Sequence, residues 1–185
     1  MFERLAIPDV FLFTPQRHGD DRGFFVETFR QATFDSMTGP INWVQDNHSK
    51  STQAGTVRGL HCQVGAFAQD KLVRCVRGAI LDVAVDVRVG SPTFGAHVSA
   101  TLSAENGVQI FVPKGFVHGF VTREPNTEVI YKVSNYYNAA SERGVRYDDP
   151  DLKIAWDAPA SGAILSAKDA ALPLLRELPV LFTYP

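Results

Sequence analysis

Apolar residues recur mainly at every second position along this chain, in many short runs. The clearest run is Leu81–Val87, where apolar side chains alternate with polar or small ones, as in a strand with one buried face. Turn residues such as glycine and proline separate the runs. This spacing predicts an all-β sandwich or barrel rather than a parallel α/β sheet. The other predicted strands are Val10–Thr14, Gly23–Phe29, Trp43–Asn47, Thr56–Gln63, Lys71–Val76, Ala96–Leu102, Gln109–Val112, Val117–Thr122 and Glu128–Val133.

Helical signals are few. Thr33–Met37 has room for one or two turns, and Ser166–Asp169 has the spacing of a helix start. A helix over Ala170–Glu177 would follow, limited by its internal proline. No repeat or linker interrupts the chain, so we expect residues 1–185 to form a single domain. Two irregular segments, Asn138–Pro150 and Asp157–Gly162, are candidates to cover an opening.

Charge and composition exclude several classes of protein. The 18 basic and 20 acidic residues give a net charge of -2, which supplies no general attraction to nucleic acid or to an anionic membrane. No run approaches the roughly 20 apolar residues that span a bilayer. The start, Met1–Asp9, lacks the apolar core of a signal peptide, so we expect a cytoplasmic protein. Cys62 and Cys75 form no CxxC pair and are expected to be buried thiols.

The five histidines raise the question of a metal site. No two of them stand two or four residues apart, and Gly59–Gln63 lacks the HxH pair of metal-binding cupin barrels. The spacing therefore predicts no metal. His61 lies in a predicted strand and is either a core histidine or a general base, since imidazole accepts protons near neutral pH.

A series of motifs in a fixed order decides between such alternatives. The series closely resembles the dTDP-4-dehydrorhamnose 3,5-epimerase family of deoxysugar biosynthesis over nearly the whole chain. That resemblance implies a homodimeric, cupin-like jelly-roll β-barrel with a few short helices. It also implies epimerisation of C5 and then C3 of a dTDP-4-keto-6-deoxyhexose without metal or organic cofactor, on the route to dTDP-L-rhamnose and cell-surface polysaccharide. The motifs are Gly19–Glu27, Gln45–Ser51, Val57–Gln63, Lys71–Arg74, Ser91–Gly95, Val112–Phe120, Tyr131–Tyr137 and Leu165–Asp169.

The resemblance assigns four catalytic residues. His61 is the base that removes the proton next to the ketone, and Asp169 orients it. Lys71 stabilises the enolate oxygen, and Tyr131 returns a proton from the opposite face. Each residue also has a structural alternative. Asp169 could serve only in the cap at Ser166, Tyr131 could be a buried aromatic, and Lys71 could be a solvated lysine at a sheet edge.

Substrate contacts are implied in the same way. Arg58 and Arg22 match diphosphate ligands, with Arg22 reaching across from the other subunit; otherwise both are ordinary surface arginines. Tyr137 with Phe24 matches a platform for thymine, or else a packing pair. Six further residues match positions that touch nucleotide or sugar in relatives: Glu27, Gln45, Asn47, His118, Glu142 and Lys168.

Strand parity adds a constraint of its own. Arg58 and His61 are three residues apart, so in a regular strand they would point to opposite faces. Both can reach one pocket only if the strand is bulged, and Gly59 is the candidate position. His61 and Gln63 share a face, so Cys62 should point away. Asp82 remains open: it either pairs with Lys71 or points outward.

Three residues depart from the family pattern. Cys62, Asp70 and Tyr147 stand where an aromatic, a glycine and a tryptophan are usual in relatives.

Four other functions compete with the main one. They are a C3-only or C5-only epimerase, a 3,4-ketoisomerase, a non-catalytic sugar-binding barrel, and a metal-dependent cupin oxygenase. The missing HxH opposes the oxygenase, and Tyr131 with the pair His61 and Asp169 opposes a 3,4-ketoisomerase.

Overall fold

Strands dominate the computed structural model, which describes residues 1–157 and 162–185. There are two short helices, α1 (Gln31–Thr38) and α2 (Ala167–Ala170), in this part of the chain. Single 3-10 turns lie at Gly65–Phe67, Ala139–Ser141 and Leu175–Glu177. The strands are β1 Phe2–Arg4, β2 Phe11–Phe13, β3 Arg17–Asp20, β4 Gly23–Val26, β5 Gln45–Ser51, β6 Val57–Gln63, β7 Lys71–Arg77, β8 Ala79–Asp86, β9 Arg88–Val89, β10 His97–Ser103, β11 Gln109–Val112, β12 Phe116–Thr122, β13 Thr127–Val133, β14 Glu142–Gly144 and β15 Phe182–Thr183.

Two large antiparallel sheets form the framework. The six-stranded sheet has the order β1-β2-β11-β7-β13-β5, and the five-stranded sheet has the order β10-β8-β12-β6-β14. Strands that are distant in sequence are therefore neighbours in both sheets. The hairpin β3–β4 and the parallel pair β9–β15 are separate small sheets. This architecture confirms the all-β prediction.

The main core lies between the two large sheets. Val73 and Ile110 from the six-stranded sheet pack with Ile80, Leu102 and Phe120 from the five-stranded sheet, and all are buried. Alternate residues of each strand supply this inner face, as a period of two requires. Other inward-facing residues of the same strands, near the end of the sheets, can line a pocket between them.

Both sheets are also covered on their outer faces. Leu81 and Val83 of β8 pack under the C-terminal segment, which contributes Leu175 and Phe182. We expected one buried face for this strand, but β8 is buried along its whole length because the chain end folds over it. On the other sheet, Phe34 of α1 covers the outer aromatic cluster.

Several predicted boundaries were wrong. The predicted helix over Ala170–Glu177 does not form: α2 ends at Ala170, and Pro173 separates it from the 3-10 turn at Leu175–Glu177. The segment Asn138–Pro150 is not wholly irregular, since β14 pairs with β6. Residues 158–161 of the segment Asp157–Gly162 lie outside the described residues. Neither helix in the described chain has the length and apolar character needed to cross a membrane.

The predicted bulge at Gly59 is present. His61 lies opposite His118 and Arg58 lies opposite Phe120, so three steps along β6 match two along β12. Gly59 has a φ of +129°, and its peptide bond with Leu60 is cis. A Cβ at Gly59 would lie 2.5 Å from the Cα of Gly119, which leaves no space for a side chain. The extra residue turns Arg58 and His61 to the same face.

Replacing Gly59 with alanine is expected to lower the free energy of unfolding by roughly 3 kcal/mol or more, because backbone strain and overpacking act together. Urea denaturation measures this loss. Gly90→Ala is the matched control: Gly90 also has a positive φ, +90°, but open space at its Cβ position. Equal losses in the two variants would contradict the close approach at Gly59.

Candidate active site

A pocket of about 500 Å³ opens between the two large sheets. Its walls come from strands of both sheets and from α2, so residues far apart in sequence meet there. Nine of the predicted site residues line it: Arg58, His61, Lys71, His118, Tyr131, Tyr137, Glu142, Lys168 and Asp169.

An imidazole–carboxylate pair forms one wall. The Nε2 atom of His61 lies 2.7 Å from Oδ1 of Asp169, and the two side chains are 25% and 6% exposed. The Ser166 hydroxyl accepts a hydrogen bond from the backbone N–H of Asp169 and so caps α2. Burial pushes the pKa of Asp169 upward, but hydrogen bonds and the charge of His61 outweigh burial, and the pKa is lowered. The capping contact and the contact with His61 therefore coexist.

A lysine lies beside this pair. Lys71 begins β7, a central strand between β11 and β13, so the alternative of a lysine at a sheet edge is wrong. Its Nζ donates a hydrogen bond to the backbone oxygen of His61 at 3.2 Å. Burial lowers the pKa of Lys71, and the nearby groups Cys62, Asp82 and Glu142 partly counter it. The hydrogen bond to His61 therefore holds the Lys71 ammonium at the wall of the pocket.

Tyr131 belongs to the other wall. It lies on β13 of the six-stranded sheet, whereas His61 lies on β6 of the five-stranded sheet, and both line the same pocket. Burial raises the pKa of Tyr131, which keeps the phenol protonated. An imidazole and a protonated phenol therefore face one cavity from different sheets.

Three side chains are joined at the pocket margin. The Tyr137 hydroxyl donates to Oε2 of Glu142 at 2.9 Å, and the Lys168 ammonium lies 2.6 Å from Oε1 of the same carboxylate. Burial raises the pKa of Glu142, but these two partners outweigh burial and the pKa is lowered. Glu142 therefore links the segment after β13 to α2.

Arg58 spans the two sheets at the pocket. Its Nε donates to the Ser51 hydroxyl at 3.1 Å, and Nη2 donates to the Lys50 carbonyl at 3.0 Å. Both partners lie on β5 of the six-stranded sheet. These bonds fix the guanidinium plane, and Nη1 makes no hydrogen bond within the described residues.

Gln45 and Asn47 line an adjoining recess of about 140 Å³ rather than the main pocket. The recess shares His61, Lys71 and Tyr131 with the main pocket, so the two form a continuous site. The Gln45 side chain donates to Asn47 at 2.8 Å and accepts from the backbone N–H of Tyr137 at 3.2 Å.

Three predicted substrate ligands are not brought to this pocket by the same chain. Arg22 is exposed and pairs with Asp20, and Glu27 pairs with Arg30 at 2.8 Å. Phe24 is 60% exposed and lies against the Arg17 guanidinium. Arg22 and Phe24 belong to the β3–β4 hairpin region, and Glu27 follows directly after it.

The departures from the family pattern have local structural roles. Asp70 accepts hydrogen bonds from the Lys114 backbone and the Ser134 hydroxyl, so its carboxylate does not face Lys71. Cys62 packs in the outer core, as parity predicted, and burial raises the pKa of its thiol to about 11. Tyr147 packs against Trp156 in the same outer core rather than over the pocket.

Sequence reasoning missed part of the pocket. Phe120 lies two residues after His118 on β12, and this spacing could have identified it. The other lining residues are Ser49, Thr56, Val57, Ile164, Leu165 and Ser166. Four of them, Ser49, Val57, Leu165 and Ser166, stand inside the motifs of the resemblance, whereas Thr56 and Ile164 do not. Among the described residues, no group of three or more His, Cys, Asp or Glu side chains is placed to hold a metal ion.

An imidazole–carboxylate pair and a phenol on two walls of one pocket, between two antiparallel sheets, are typical of an enzyme active site on a jelly roll. A family model described as dTDP-4-dehydrorhamnose 3,5-epimerase matches residues 4–177. The chain belongs to this family, whose members are isomerases.

Individual relatives agree with this family assignment. The dTDP-4-dehydrorhamnose 3,5-epimerase of Sinorhizobium fredii is 52% identical over 183 residues, covering 99% of this chain and 93% of the relative. The crystal structure of dTDP-6-deoxy-D-glucose-3,5-epimerase from Legionella pneumophila, in complex with dTDP-4-keto-L-rhamnose, is 40% identical. Its TM-score is 0.96, with 100% of this chain and 98% of that chain covered. A 4-keto-6-deoxy sugar epimerase from the novobiocin gene cluster of Streptomyces spheroides is 36% identical, with a TM-score of 0.93 and coverage of 100% and 93%.

Proposed function

We propose that this protein catalyses the cofactor-independent 3,5-epimerisation of dTDP-4-dehydro-6-deoxy-D-glucose to dTDP-4-dehydro-L-rhamnose. The observation that carries the proposal is the position of the His61–Asp169 pair and Tyr131 on different walls of one pocket. The bound dTDP-4-keto-L-rhamnose of the Legionella pneumophila relative supports the substrate class.

Proton removal is the first step. A hydrogen on C5 or C3 of the sugar is acidic because the C4 ketone can take up the negative charge as an enolate. The other ring nitrogen of His61, Nδ1, accepts this proton, and Asp169 stabilises the imidazolium through Nε2. The electron pair of the broken C–H bond moves to the C4 oxygen.

Stabilisation of the enolate falls to Lys71. A partly buried ammonium next to the developing oxyanion acts in a medium of lower dielectric than water, where charge stabilisation is larger. Its hydrogen bond to the His61 carbonyl keeps it beside the base.

Reprotonation completes the inversion. Tyr131 donates its phenolic proton to the carbon from the face opposite His61, and the enolate electrons re-form the ketone. The phenolate then regains a proton from solvent while His61 loses one, so no atom is gained or lost over the cycle.

Nucleotide binding requires cations and an aromatic platform. Arg58 supplies a guanidinium at the pocket for the diphosphate, and Tyr137 supplies a ring for thymine. Gln45, Asn47, Glu142 and Lys168 border the same space.

The remaining ligands are assigned to a second copy of the chain. The exposed β3–β4 hairpin carries Arg22 and Phe24 away from their own pocket, and Glu27 follows it. In a homodimer this hairpin would deliver the three side chains to the pocket of the partner subunit.

Mixed dimers test this arrangement. Arg22→Ala and His61→Asn chains with different affinity tags are co-expressed and purified through both tags. We expect about half the wild-type kcat/KM, because each mixed dimer keeps one intact site. Failure to recover mixed dimers would contradict the dimer, and activity no higher than the mean of the two parent variants would contradict an exchange of Arg22.

The reaction itself is tested in deuterated water. The purified protein is incubated with dTDP-4-keto-6-deoxyglucose, and the label is located by NMR. Deuterium at both C3 and C5, with inversion, is the expected result. Label at one carbon indicates a mono-epimerase, and label at neither carbon rejects an epimerase of this substrate.

The charge of Lys71 predicts a pH dependence. Because burial lowers its pKa, the ammonium is lost at a lower pH than the usual 10.5, so kcat should fall with rising pH below that value. The raised pKa of Tyr131 keeps the phenol protonated over the same range. A kcat–pH profile measures this fall. Lys71→Arg should abolish the fall, since arginine stays charged, and an unchanged fall of kcat in that variant would contradict the role of Lys71.

A further inference from the structure

A second imidazole–carboxylate pair lies inside the pocket wall. The two carboxylate oxygens of Asp82 each lie 2.9 Å from Nε2 of His118, and Asp82 is 0% exposed. Asp82 shares its parity on β8 with Ile80 and Ala84, so it faces the interior between the sheets. The alternative that Asp82 points outward is therefore wrong. No other donor contacts its carboxylate among the described residues.

The proton position on His118 follows from this contact. A buried carboxylate only accepts hydrogen bonds, so Nε2 of His118 carries a hydrogen and donates it. The other ring nitrogen, Nδ1, has no hydrogen-bond partner in the described part of the chain, and His118 lines the pocket. Nδ1 is thus the atom that His118 can offer to a ligand.

The strand register places His118 at the level of the catalytic base. His118 lies directly opposite His61, and Phe120 lies directly opposite Arg58. Side chains at opposite positions of an antiparallel pair have Cβ atoms only about 5 Å apart. His118 is therefore next to the base that reaches the sugar carbons, whereas Phe120 is next to the arginine assigned to the diphosphate.

We propose that Asp82 is a positioning residue that acts through His118, holding its ring so that Nδ1 makes a hydrogen bond to the hexose ring rather than to the nucleotide. This assignment rests on the proposed function. It makes Asp82 and His118 determinants of how the 4-keto sugar is oriented over His61 and Tyr131.

Asp82→Asn tests the role with three readouts. The amide keeps the shape of the carboxylate but no longer enforces one tautomer of His118. We expect kcat to fall about 10- to 100-fold, as small misplacements of a reacting group do. The ratio of deuterium at C3 to deuterium at C5 should also change. The Kd for dTDP, which lacks the hexose, should stay within about twofold of the wild type.

Asp86→Asn is the matched control. Asp86 lies on the same strand and inner face and is also 0% exposed, but it binds Arg88, Ser91 and Thr93 at the far end of β8. That variant should lose stability without changing kcat or the C3:C5 ratio. A loss of kcat that merely follows stability in both variants would overturn the positioning role.

A double-mutant cycle shows whether Asp82 acts through His118. In a His118→Asn background, the additional change Asp82→Asn should have no further effect on kcat or the labelling ratio. Independent, additive effects would overturn the proposal. If Asp82→Asn does not fold, His118→Asn alone must change the C3:C5 ratio without weakening dTDP binding, and an unchanged ratio or weakened dTDP binding overturns it. Wild-type protein that incorporates no deuterium would instead reject the proposed function.

Discussion

His61→Asn is expected to lower kcat by at least about 10³-fold and to abolish deuterium incorporation at both C3 and C5. The reason is that asparagine cannot accept the proton, so the enolate never forms. The partner Asp169, 6% exposed, would remain as a buried carboxylate without its imidazole. Because His61 itself is 25% exposed and lines a cavity, the fold should tolerate the change.

The control for this variant is His48→Asn. His48 is an exposed histidine that pairs with Glu128 and does not line the main pocket. It should retain wild-type exchange and inversion. Persistent deuterium exchange in His61→Asn, measured by NMR on recovered sugar, would reject His61 as the base.

Tyr131→Phe should separate proton removal from inversion. His61 can still form the enolate, but without the phenol a proton returns only from the face of His61. Recovered substrate should therefore carry deuterium with retained configuration, while epimer formation falls by about 10²-fold or more. The loss is chemical rather than structural, since phenylalanine keeps the packing of Tyr131 against the core.

Tyr136→Phe is the matched control for the loss of a phenol. Tyr136 is 61% exposed and lies outside the pocket, so its variant should behave as the wild type. Inverted product at the wild-type rate from Tyr131→Phe would show that another group returns the proton. Absence of both exchange and inversion would show that Tyr131 is needed before proton removal.

Local patterns predicted the framework well because strand structure depends on neighbours in sequence. The alternation in Leu81–Val87 identified β8, and the three-residue spacing of Arg58 and His61 predicted the bulge at Gly59. Alternation gave the wrong prediction of burial where a distant segment of the chain covers the strand. The outer face of β8 is buried by the C-terminal chain, which no local alternation could reveal.

The candidate site was predictable only in part. Motif resemblance named nine residues that line the pocket, yet it also named Arg22, Phe24 and Glu27, which lie elsewhere on the same chain. The resemblance had assigned Arg22 to the other subunit, but it had made no such assignment for Phe24 and Glu27. Their placement depends on where the β3–β4 hairpin projects, a property of the folded chain.

The amino-acid sequence by itself predicted that the chain forms short strands and that a bulge is needed near Gly59, and its motifs resembled those of a family of sugar epimerases. Only the tertiary structure decided that Asp82 stands behind His118 and that Asp70 turns away from Lys71. Alternation is set by residues one or two positions apart. Contacts between strands depend on long-range packing. A carboxylate such as that of Asp82 has several possible partners in the sequence, and only the folded arrangement of the sheets selects one.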